Sequence, residues 1–280
     1  MKKTPRVVRL HNIVFGGNTR LVLIAGPCVV EGRDITLRTA ERIKTLTDKM
    51  KIPFVFKSSY KKANRTSGKS FVGLDLDKAL TILHEVKRTF HVPILTDIHT
   101  EEEVDIASEV ADIIQIPAFL CRQTELLQMA GFSNKIVNIK KGQFMAPEDM
   151  GHQAKKVEMT GNPNVLLTER GTTFGYHNLV VDMRSLVIMR SLGYPVILDA
   201  THSVQLPGGG KDTTSGQPEF IFPIARAGVA VGIDGLFIET HPNPAKAKSD
   251  AASQLKLDLL ENLLKDIIVI DDIVKEQFAH

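Results

Sequence analysis

The sequence predicts an α/β protein built as one (β/α)8 (TIM) barrel over residues 1–280, with an N-terminal β-hairpin extension at 1–18. Eight short apolar runs each break into polar, charged or Gly/Pro residues, as buried parallel strands do at their carboxyl ends. Helical segments alternate with these runs and the composition does not shift along the chain. The length of 280 residues is near the ~250 typical of such barrels. The runs are LVLIAGPC, PFVFKSS, PILTDIH, DIIQIPA, KIVNIKK, VLLTERG, PVILDATH and GLFIETHP.

A doubly wound open sheet is the alternative fold, since it shares the alternation of strands and helices. The chain has no GxGxxG after the first run and no GxxxxGK[ST] motif. Both absences lower the dinucleotide-binding and nucleotide-hydrolysing interpretations.

The hairpin is predicted at residues 5–18, where VVRL and IVF flank His11-Asn12 before Gly16-Gly17-Asn18. We expect it to close the end of the barrel opposite the carboxyl ends of the strands. Thr100 is expected to cap the third helix, and Pro147 to occupy the first position of the fifth. The other predicted helices are 34–50, 75–90, 124–130, 178–192, 217–232 and 255–275.

Composition excludes several classes of function. The net charge of +3, with 3 Tyr and no Trp, does not indicate nucleic-acid binding. No apolar run approaches the ~20 residues of a membrane span. The first twelve residues contain lysines but no apolar segment typical of a signal peptide. Two cysteines make no disulfide framework, so the expected location is the cytoplasm.

Six cationic side chains follow the predicted strands and are therefore expected at one rim of the barrel. Because the overall charge is nearly balanced, this concentration indicates anionic ligands such as phosphate or carboxylate. These cations fall into two clusters along the sequence, at 57–65 and 140–170, which indicates that the ligands carry more than one anionic group. Any single one of them could also be ordinary strand-end polarity. They are Lys57, Lys62, Arg65, Lys140, Lys141 and Arg170.

Cys28, His202, Glu239 and Asp250 lie at or beyond the ends of the first, seventh and eighth runs. The eighth strand neighbours the first once a barrel closes, so the four can meet. Thiolate, imidazole and carboxylates suit a divalent transition metal, although no CxxC or HExxH spacing enforces this. The alternatives are a buried cysteine in a tight turn, a strand-end salt bridge for Glu239, and a rim histidine or general base for His202.

Longer motifs give a family resemblance that covers nearly the whole chain. IAGPC at 24–28, KANR at 62–65, IIQIPAFLCRQT at 113–124, LTERGTTFGYHNLVVD at 167–182 and DATHSVQLPGG at 199–209 carry most of it. The chain resembles the 3-deoxy-D-manno-octulosonate 8-phosphate synthases, also called 2-dehydro-3-deoxyphosphooctonate aldolases. The sister family that makes the seven-carbon sugar acid carries a KPR-type motif in place of KANR.

The resemblance implies condensation of phosphoenolpyruvate with D-arabinose 5-phosphate, for lipopolysaccharide precursors. It implies catalytic roles for His202, Lys62, Asp250 and Asn64. The implied ligand contacts are Lys140 and Arg170 with the phosphoenolpyruvate phosphate, Lys57, Ser59 and Lys62 with its carboxylate side, and Asn64 and Arg65 with the sugar phosphate. Asp97 and Gln115 complete the implied substrate site.

The resemblance also implies a homo-oligomer, a tetramer in this family, with Arg122 reaching a neighbouring subunit's site. Cysteine at position 28 marks the metal-dependent branch, in which Cys28, His202, Glu239 and Asp250 hold one divalent metal. The set suits zinc, iron, manganese or cobalt. Lys69 and Val72 stand where the family commonly has His and Arg, which bears on sugar binding.

Three further possibilities stay open from the sequence. The glycine-rich loop at 208–216 is either a lid that excludes water or an ordinary connection. The seven-carbon synthase, which uses erythrose 4-phosphate, is the alternative enzyme. A barrel that binds sugar phosphates without catalysis is the alternative outside enzymes.

Overall fold

A closed parallel barrel forms the centre of the computed structural model, which describes residues 6–62, 73–209 and 215–277. Strand β8 pairs with both β7 and β1, so the sheet has no free edge in the described chain. The predicted (β/α)8 fold is confirmed, and the open-sheet alternative is excluded. The strands are β1 (Val22–Gly26), β2 (Phe54–Lys57), β3 (Ile94–Asp97), β4 (Ile113–Ile116), β5 (Ile136–Lys140), β6 (Val165–Glu169), β7 (Val196–Asp199) and β8 (Gly235–His241).

One helix follows each strand and packs an apolar face on the outside of the barrel. This outer layer holds the larger of the two apolar clusters, with strand residues such as Leu23 and Phe56 against helix residues such as Ile43 and Leu83. The helices are α1 (Arg33–Met50), α2 (Leu76–Phe90), α3 (Glu102–Val110), α4 (Thr124–Phe132), α5 (Met150–Glu158), α6 (Met183–Ser191), α7 (Ile221–Val231) and α8 (Leu260–Gln277).

Several predicted helix starts are wrong. Glu101, not Thr100, is the residue before α3. Pro147 lies in a turn whose carbonyl accepts from the Met150 amide, so α5 begins three residues later than expected. Short strands pair at Leu179–Val180 and Leu255–Lys256, and a 3-10 turn at Leu257–Leu259 leads into α8, so α6 and α8 begin later than expected.

The predicted hairpin is present, with strands Val8–Leu10 and Ile13–Phe15. Its apolar side chains, including Phe15, form one buried cluster with the inward residues of the barrel strands. Burial of apolar surface from both sides closes this end of the barrel. The carboxyl ends of the strands are left as the open end.

Side chains inside the barrel change from apolar to polar in a single step along the strands. Inward-facing residues recur every second position, because successive strand side chains point to opposite faces. Val55, Leu95 and Ile197 belong to the inner apolar cluster. Two residues further on, Lys57, Asp97 and Asp199 follow on the same strands. The same step gives Gln115, Asn138, Thr168 and Glu239 on the other strands.

Within the described residues, no helix combines the length and apolar character needed to cross a membrane. The longest helices, α1 and α8, each carry charged side chains along their length.

Candidate active site

A cavity of about 410 Å³ opens at the carboxyl ends of the strands. Its walls include most of the described residues that the sequence marked as functional: Cys28, Lys57, Ser59, Lys62, Asp97, Gln115, Lys140, Arg170, His202, Glu239 and Asp250. Lys141 is an exception to the predicted rim of cations. It is fully buried, donates to Thr172 Oγ1 at 2.8 Å and lies 3.5 Å from Glu169, because its side chain leaves the strand on the outer face.

Three lysines in the cavity each face a buried carboxylate. Lys57 Nζ lies 2.5 Å from Glu239 Oε1, and Lys140 Nζ lies 2.5 Å from Asp199 Oδ2. Lys62 is ion-paired to Asp250. Burial alone would lower the pKa of Lys57 and of Lys62, but the neighbouring anions raise both pKa values above the ordinary one. The ammonium groups of Lys57 and Lys62 are therefore charged, and transfer of a proton from either group is costly.

Arg170 lies at the end of β6 and is almost fully buried. Its Nη2 donates to Gln205 Oε1 at 2.9 Å. Among the described residues, none accepts a hydrogen bond from its buried Nη1. Since Arg170 also lines the cavity, its guanidinium, with one unpaired donor, suits an oxyanion.

The backbone around Arg170 is fixed by the preceding carboxylate. Glu169 Oε1 accepts from the amides of Arg170 and Gly171 at 2.9 and 2.7 Å, and Glu169 Oε2 accepts from Ser185 on α6 at 2.5 Å. The outward-facing Glu169 thus sets the direction in which the inward-facing Arg170 leaves the strand.

Cys28, Glu239 and Asp250 meet as the sequence predicts. One ligand atom from each lies within 4.8 Å of the other two. Burial, together with Asp250 and Glu239, raises the pKa of the Cys28 thiol well above its ordinary value. A divalent cation would offset these negative charges and favour the thiolate. The Lys62 ammonium group already places positive charge there, 3.7 Å from Cys28 Sγ.

His202 completes the predicted set from the other side of the cavity. Its Nε2 lies 3.8 Å from Glu239 Oε1 and 3.8 Å from Asp250 Oδ2. Its Nδ1 lies 2.7 Å from Asp199 Oδ2, which sits at the end of β7. The His202 amide donates to Asp199 Oδ1 at 2.8 Å, and Nε2 is the ring nitrogen that faces Glu239 and Asp250, as in a metal-binding histidine held by a carboxylate.

Asp97 stands between neutral hydrogen-bond donors on the opposite wall. Ser59 Oγ and Gln115 Nε2 each donate to one of its carboxylate oxygens. Burial would raise the pKa of Asp97, but the charges of Lys57, His99 and Lys140 lower it to about 2. The carboxylate is therefore ionised throughout the physiological range.

Sequence reasoning missed several residues of the cavity wall, among them His99, Phe119 and Gln205. His99 and Gln205 follow β3 and β7 by a few residues, so the rule that strand ends carry function would have found them. Phe119, which is 54% exposed, had no such signal. Arg122 is exposed and lies outside the cavity wall of its own chain. Its backbone carbonyl accepts a hydrogen bond from Lys156 Nζ.

Some predicted positions lie outside the described residues. They are Asn64, Arg65, Lys69, Val72 and the central part, 210–214, of the proposed lid.

Comparison with known proteins identifies the family. Residues 3–276 match the model of the DAHP synthetase I family. A 2-dehydro-3-deoxyphosphooctonate aldolase of Geotalea daltonii is 55% identical over 268 residues, covering 96% of this chain and 98% of that protein. One of Bartonella tribocorum is 52% identical over 276 residues, 99% of each chain. The resemblance seen in the motifs is confirmed: the chain belongs to the DAHP synthetase I family and, within it, to the 2-dehydro-3-deoxyphosphooctonate aldolases.

Proposed function

We propose that this enzyme condenses phosphoenolpyruvate, D-arabinose 5-phosphate and water to 3-deoxy-D-manno-octulosonate 8-phosphate and inorganic phosphate. The observation that carries the proposal is the single cavity in which Lys57, Lys140 and Arg170 face the cluster of Cys28, Glu239 and Asp250. The names of relatives at 50–55% identity support the same reaction. The KANR motif favours the eight-carbon product over the seven-carbon one.

The cations divide the work of binding two anionic substrates. Arg170, with its unpaired buried Nη1, and Lys140 suit the phosphate of phosphoenolpyruvate. Lys57, Ser59 and Lys62 lie across the cavity and suit its carboxylate side. Asn64 and Arg65 then take the sugar phosphate. Arg122, which is exposed and outside its own cavity, suits the site of a neighbouring copy.

In the proposed reaction, C3 of the enol phosphate forms a bond with the aldehyde carbon, whose oxygen takes up a proton. Water adds at C2 and gives one proton to the aldehyde oxygen and one to the departing phosphate. The bond between C2 and the phosphate oxygen breaks, and C2 becomes a carbonyl. The chain has to align three reactants and stabilise the developing alkoxide. The charged Lys62 ammonium beside Asp250 is an electrostatic partner for the developing alkoxide on the side of the Cys28 cluster.

The donor set of Cys28, His202, Glu239 and Asp250 fits one divalent transition metal. When bound, such an ion would polarise the aldehyde or lower the pKa of a water. Asp199 holds His202 with Nε2 facing the site, and the buried walls keep bulk solvent from the carboxylates.

Phosphate release tests the proposed function. The purified enzyme should release phosphate from phosphoenolpyruvate with arabinose 5-phosphate, and much less with erythrose 4-phosphate. Arg170→Gln should lower kcat/KM at least 100-fold, because it removes the buried guanidinium. Arg226→Gln, on the exposed pair with Asp266, is the matched control and should change it less than twofold. Preference for erythrose 4-phosphate, or no phosphate release from either pair, contradicts the proposal.

Elemental analysis tests the metal site. The wild-type protein should contain about one divalent transition metal per chain, and chelation should abolish activity until metal is restored. Cys28→Ser and His202→Ala should each lose at least tenfold in metal affinity. Cys121→Ser is the control, since the buried Cys121 lies on the far side of β4.

Two results would contradict the site. Full activity in the chelated enzyme removes the metal from the mechanism. Full metal content with reduced activity in His202→Ala would favour the general-base role for His202.

We further propose that residues 1–280 form a single synthase domain in a cytoplasmic homotetramer. The closed barrel supports the single domain, and the exposed position of Arg122 outside its own cavity supports the assembly. Light scattering gives the assembly state, and Arg122→Ala should raise KM for the sugar phosphate without altering the mass of the assembly.

A further inference from the structure

Buried polar side chains from five neighbouring strands form one continuous hydrogen-bonded chain across the barrel. It starts at Ser59, just after β2, and passes through Asp97 on β3 and Gln115 on β4. Asn138 Nδ2 on β5 donates to Gln115 Oε1 at 2.8 Å, and Thr168 Oγ1 on β6 donates to Asn138 Oδ1 at 2.7 Å. Asn138 and Thr168 are fully buried, and neither is among the described residues that line the cavity.

The charge of Asp97 fixes the direction of every hydrogen bond in this chain. An ionised carboxylate only accepts, so Gln115 has to present its NH₂ group to Asp97. Its carbonyl oxygen then has to accept, which requires the NH₂ group of Asn138. The Asn138 oxygen is left for the Thr168 hydroxyl. The side-chain amides of Gln115 and Asn138 can therefore form all of these hydrogen bonds in only one orientation. The Thr168 hydroxyl is the final donor of the series and fixes that orientation.

We infer that Asn138 and Thr168 are positioning residues that hold Gln115, and through it Asp97, in the geometry that the reaction requires. The inference rests on the proposed function, with Asp97 and Gln115 in the substrate site as the family resemblance implies and as their place in the cavity wall supports. Loss of the Thr168 hydroxyl leaves Asn138 Oδ1 buried without a donor. Rotation of the two amides would then turn an oxygen toward Asp97, where it repels the carboxylate.

The hydrogen-bonded chain also keeps Asp97 ionised, as a hydrogen-bond acceptor, among the charged and titratable side chains that surround it. Charged or titratable side chains face it from β2 and the loop after it, from the residues that follow β3, and from β5. They are Lys57, Tyr60, His99 and Lys140. Losing the hydrogen bond from Gln115 removes support for the ionised form, and so raises the pKa of Asp97.

Thr168→Val tests the inference, because it removes the hydroxyl and keeps the shape. We expect kcat/KM to fall about tenfold. The acid limb of its pH profile should move to higher pH, a change that a purely structural loss would not produce. Thr168→Ser keeps the donor and should restore both properties. Thr47→Val is the matched control, since its buried hydroxyl donates to Ile43 O within α1, outside the barrel.

A second measurement does not depend on activity. The ¹³C resonance of the Asp97 carboxyl group, assigned by its loss in Asp97→Asn, should titrate at higher pH in Thr168→Val than in the wild type. Asn138→Leu, which cannot donate to Gln115 and adds no charge, should give the same shift, so the test survives if one variant fails to fold.

The outcomes separate the inference from the proposed function. Wild-type protein that releases no phosphate overturns the proposed function, whereas the carboxyl titration still decides the orientation of the chain. Thr168→Val with the pH profile and carboxyl titration of Thr47→Val would overturn the inference. So would a Thr168→Ser variant as impaired as Thr168→Val.

Discussion

At the scale of single residues, the cavity works through charges that are buried but compensated. Lys57, Lys62 and Lys140 each face a carboxylate, so no charge in these pairs is left alone in a medium of low polarity. Anionic groups of a bound substrate can compete with these carboxylates for the lysine ammonium groups. Those carboxylates, Glu239 and Asp250, then become available to a cation. Substrate binding is thus electrostatically linked to the proposed metal site.

The lowered pKa of Asp97 predicts how stability depends on pH. A carboxyl whose pKa is lower in the folded state stabilises the fold above its unfolded pKa, and loses this contribution as pH falls through the folded pKa. The pKa of Asp97 is lowered from 3.8 to about 2 by folding. This shift contributes about 2 kcal/mol to the unfolding free energy near pH 7, and most of the contribution is lost between pH 4 and pH 2.

Urea unfolding of wild type and Asp97→Asn measures this contribution. The difference in unfolding free energy should shrink as pH falls from 7 to 2.5. Asp182→Asn is the control, because Asp182 is solvent-exposed and screened, and asparagine still caps α6. A difference for Asp97→Asn that is constant with pH would contradict the assignment.

At the scale of elements, close contact between β1 and β2 sets the distance between Cys28 and Lys57. A Cβ atom at Gly26 would lie 2.0 Å from the carbonyl oxygen of Lys57. The strand end that leads to Cys28 therefore has room only for glycine. The same proximity lets Lys57 Nζ donate to the Cys28 carbonyl at 2.9 Å.

Gly26→Ala should separate these two strands. We expect a loss of about 3 kcal/mol in unfolding free energy, since the added methyl meets backbone that cannot move freely. Bound metal should fall as well. Gly32→Ala is the control because no heavy atom lies within 4 Å of the added Cβ, and it should change stability by less than about 1 kcal/mol. A Gly26→Ala protein as stable as Gly32→Ala would show that the strands can separate without cost.

The order of strands and helices follows from the sequence, but several boundaries do not. Apolar runs predict β1 to β8 because a strand buried on both faces needs apolar residues at successive positions. The starts of α6 and α8 depend on pairing with Thr172–Thr173 and with β8, which local sequence does not reveal. The meeting of Cys28 with Glu239 follows from barrel closure. The outward position of Lys141 follows from strand register, which the charge count ignored.

At the scale of the whole molecule, stability and chemistry occupy opposite ends of one barrel. The hairpin with Phe15 and the inner apolar cluster fills one end, and the polar groups line the other. Phe237 belongs to the apolar cluster, yet its ring lies 4.3 Å from Lys140 Nζ, which adds a cation–π contact. The apolar layer and the polar layer inside the barrel are in direct contact, since they are only two residues apart along each strand.

Phe15→Ala should separate the two ends experimentally. Removing this fully buried ring should cost about 3–5 kcal/mol of unfolding free energy. KM for both substrates should stay within twofold at a temperature where the variant is folded. Val7→Ala, at a residue 43% exposed, is the control for the hairpin. A large rise in KM for Phe15→Ala would show that the hairpin also shapes the site.

Closure of β8 onto β1 has a consequence for how the enzyme matures. Cys28 comes from the start of the chain, whereas Glu239 and Asp250 come from near its end. A nascent chain cannot complete this cluster until the last strand has been synthesised and joined to the first. Recovery of activity during refolding therefore requires this long-range closure, and a chain in which β8 has not joined β1 is expected to release no product.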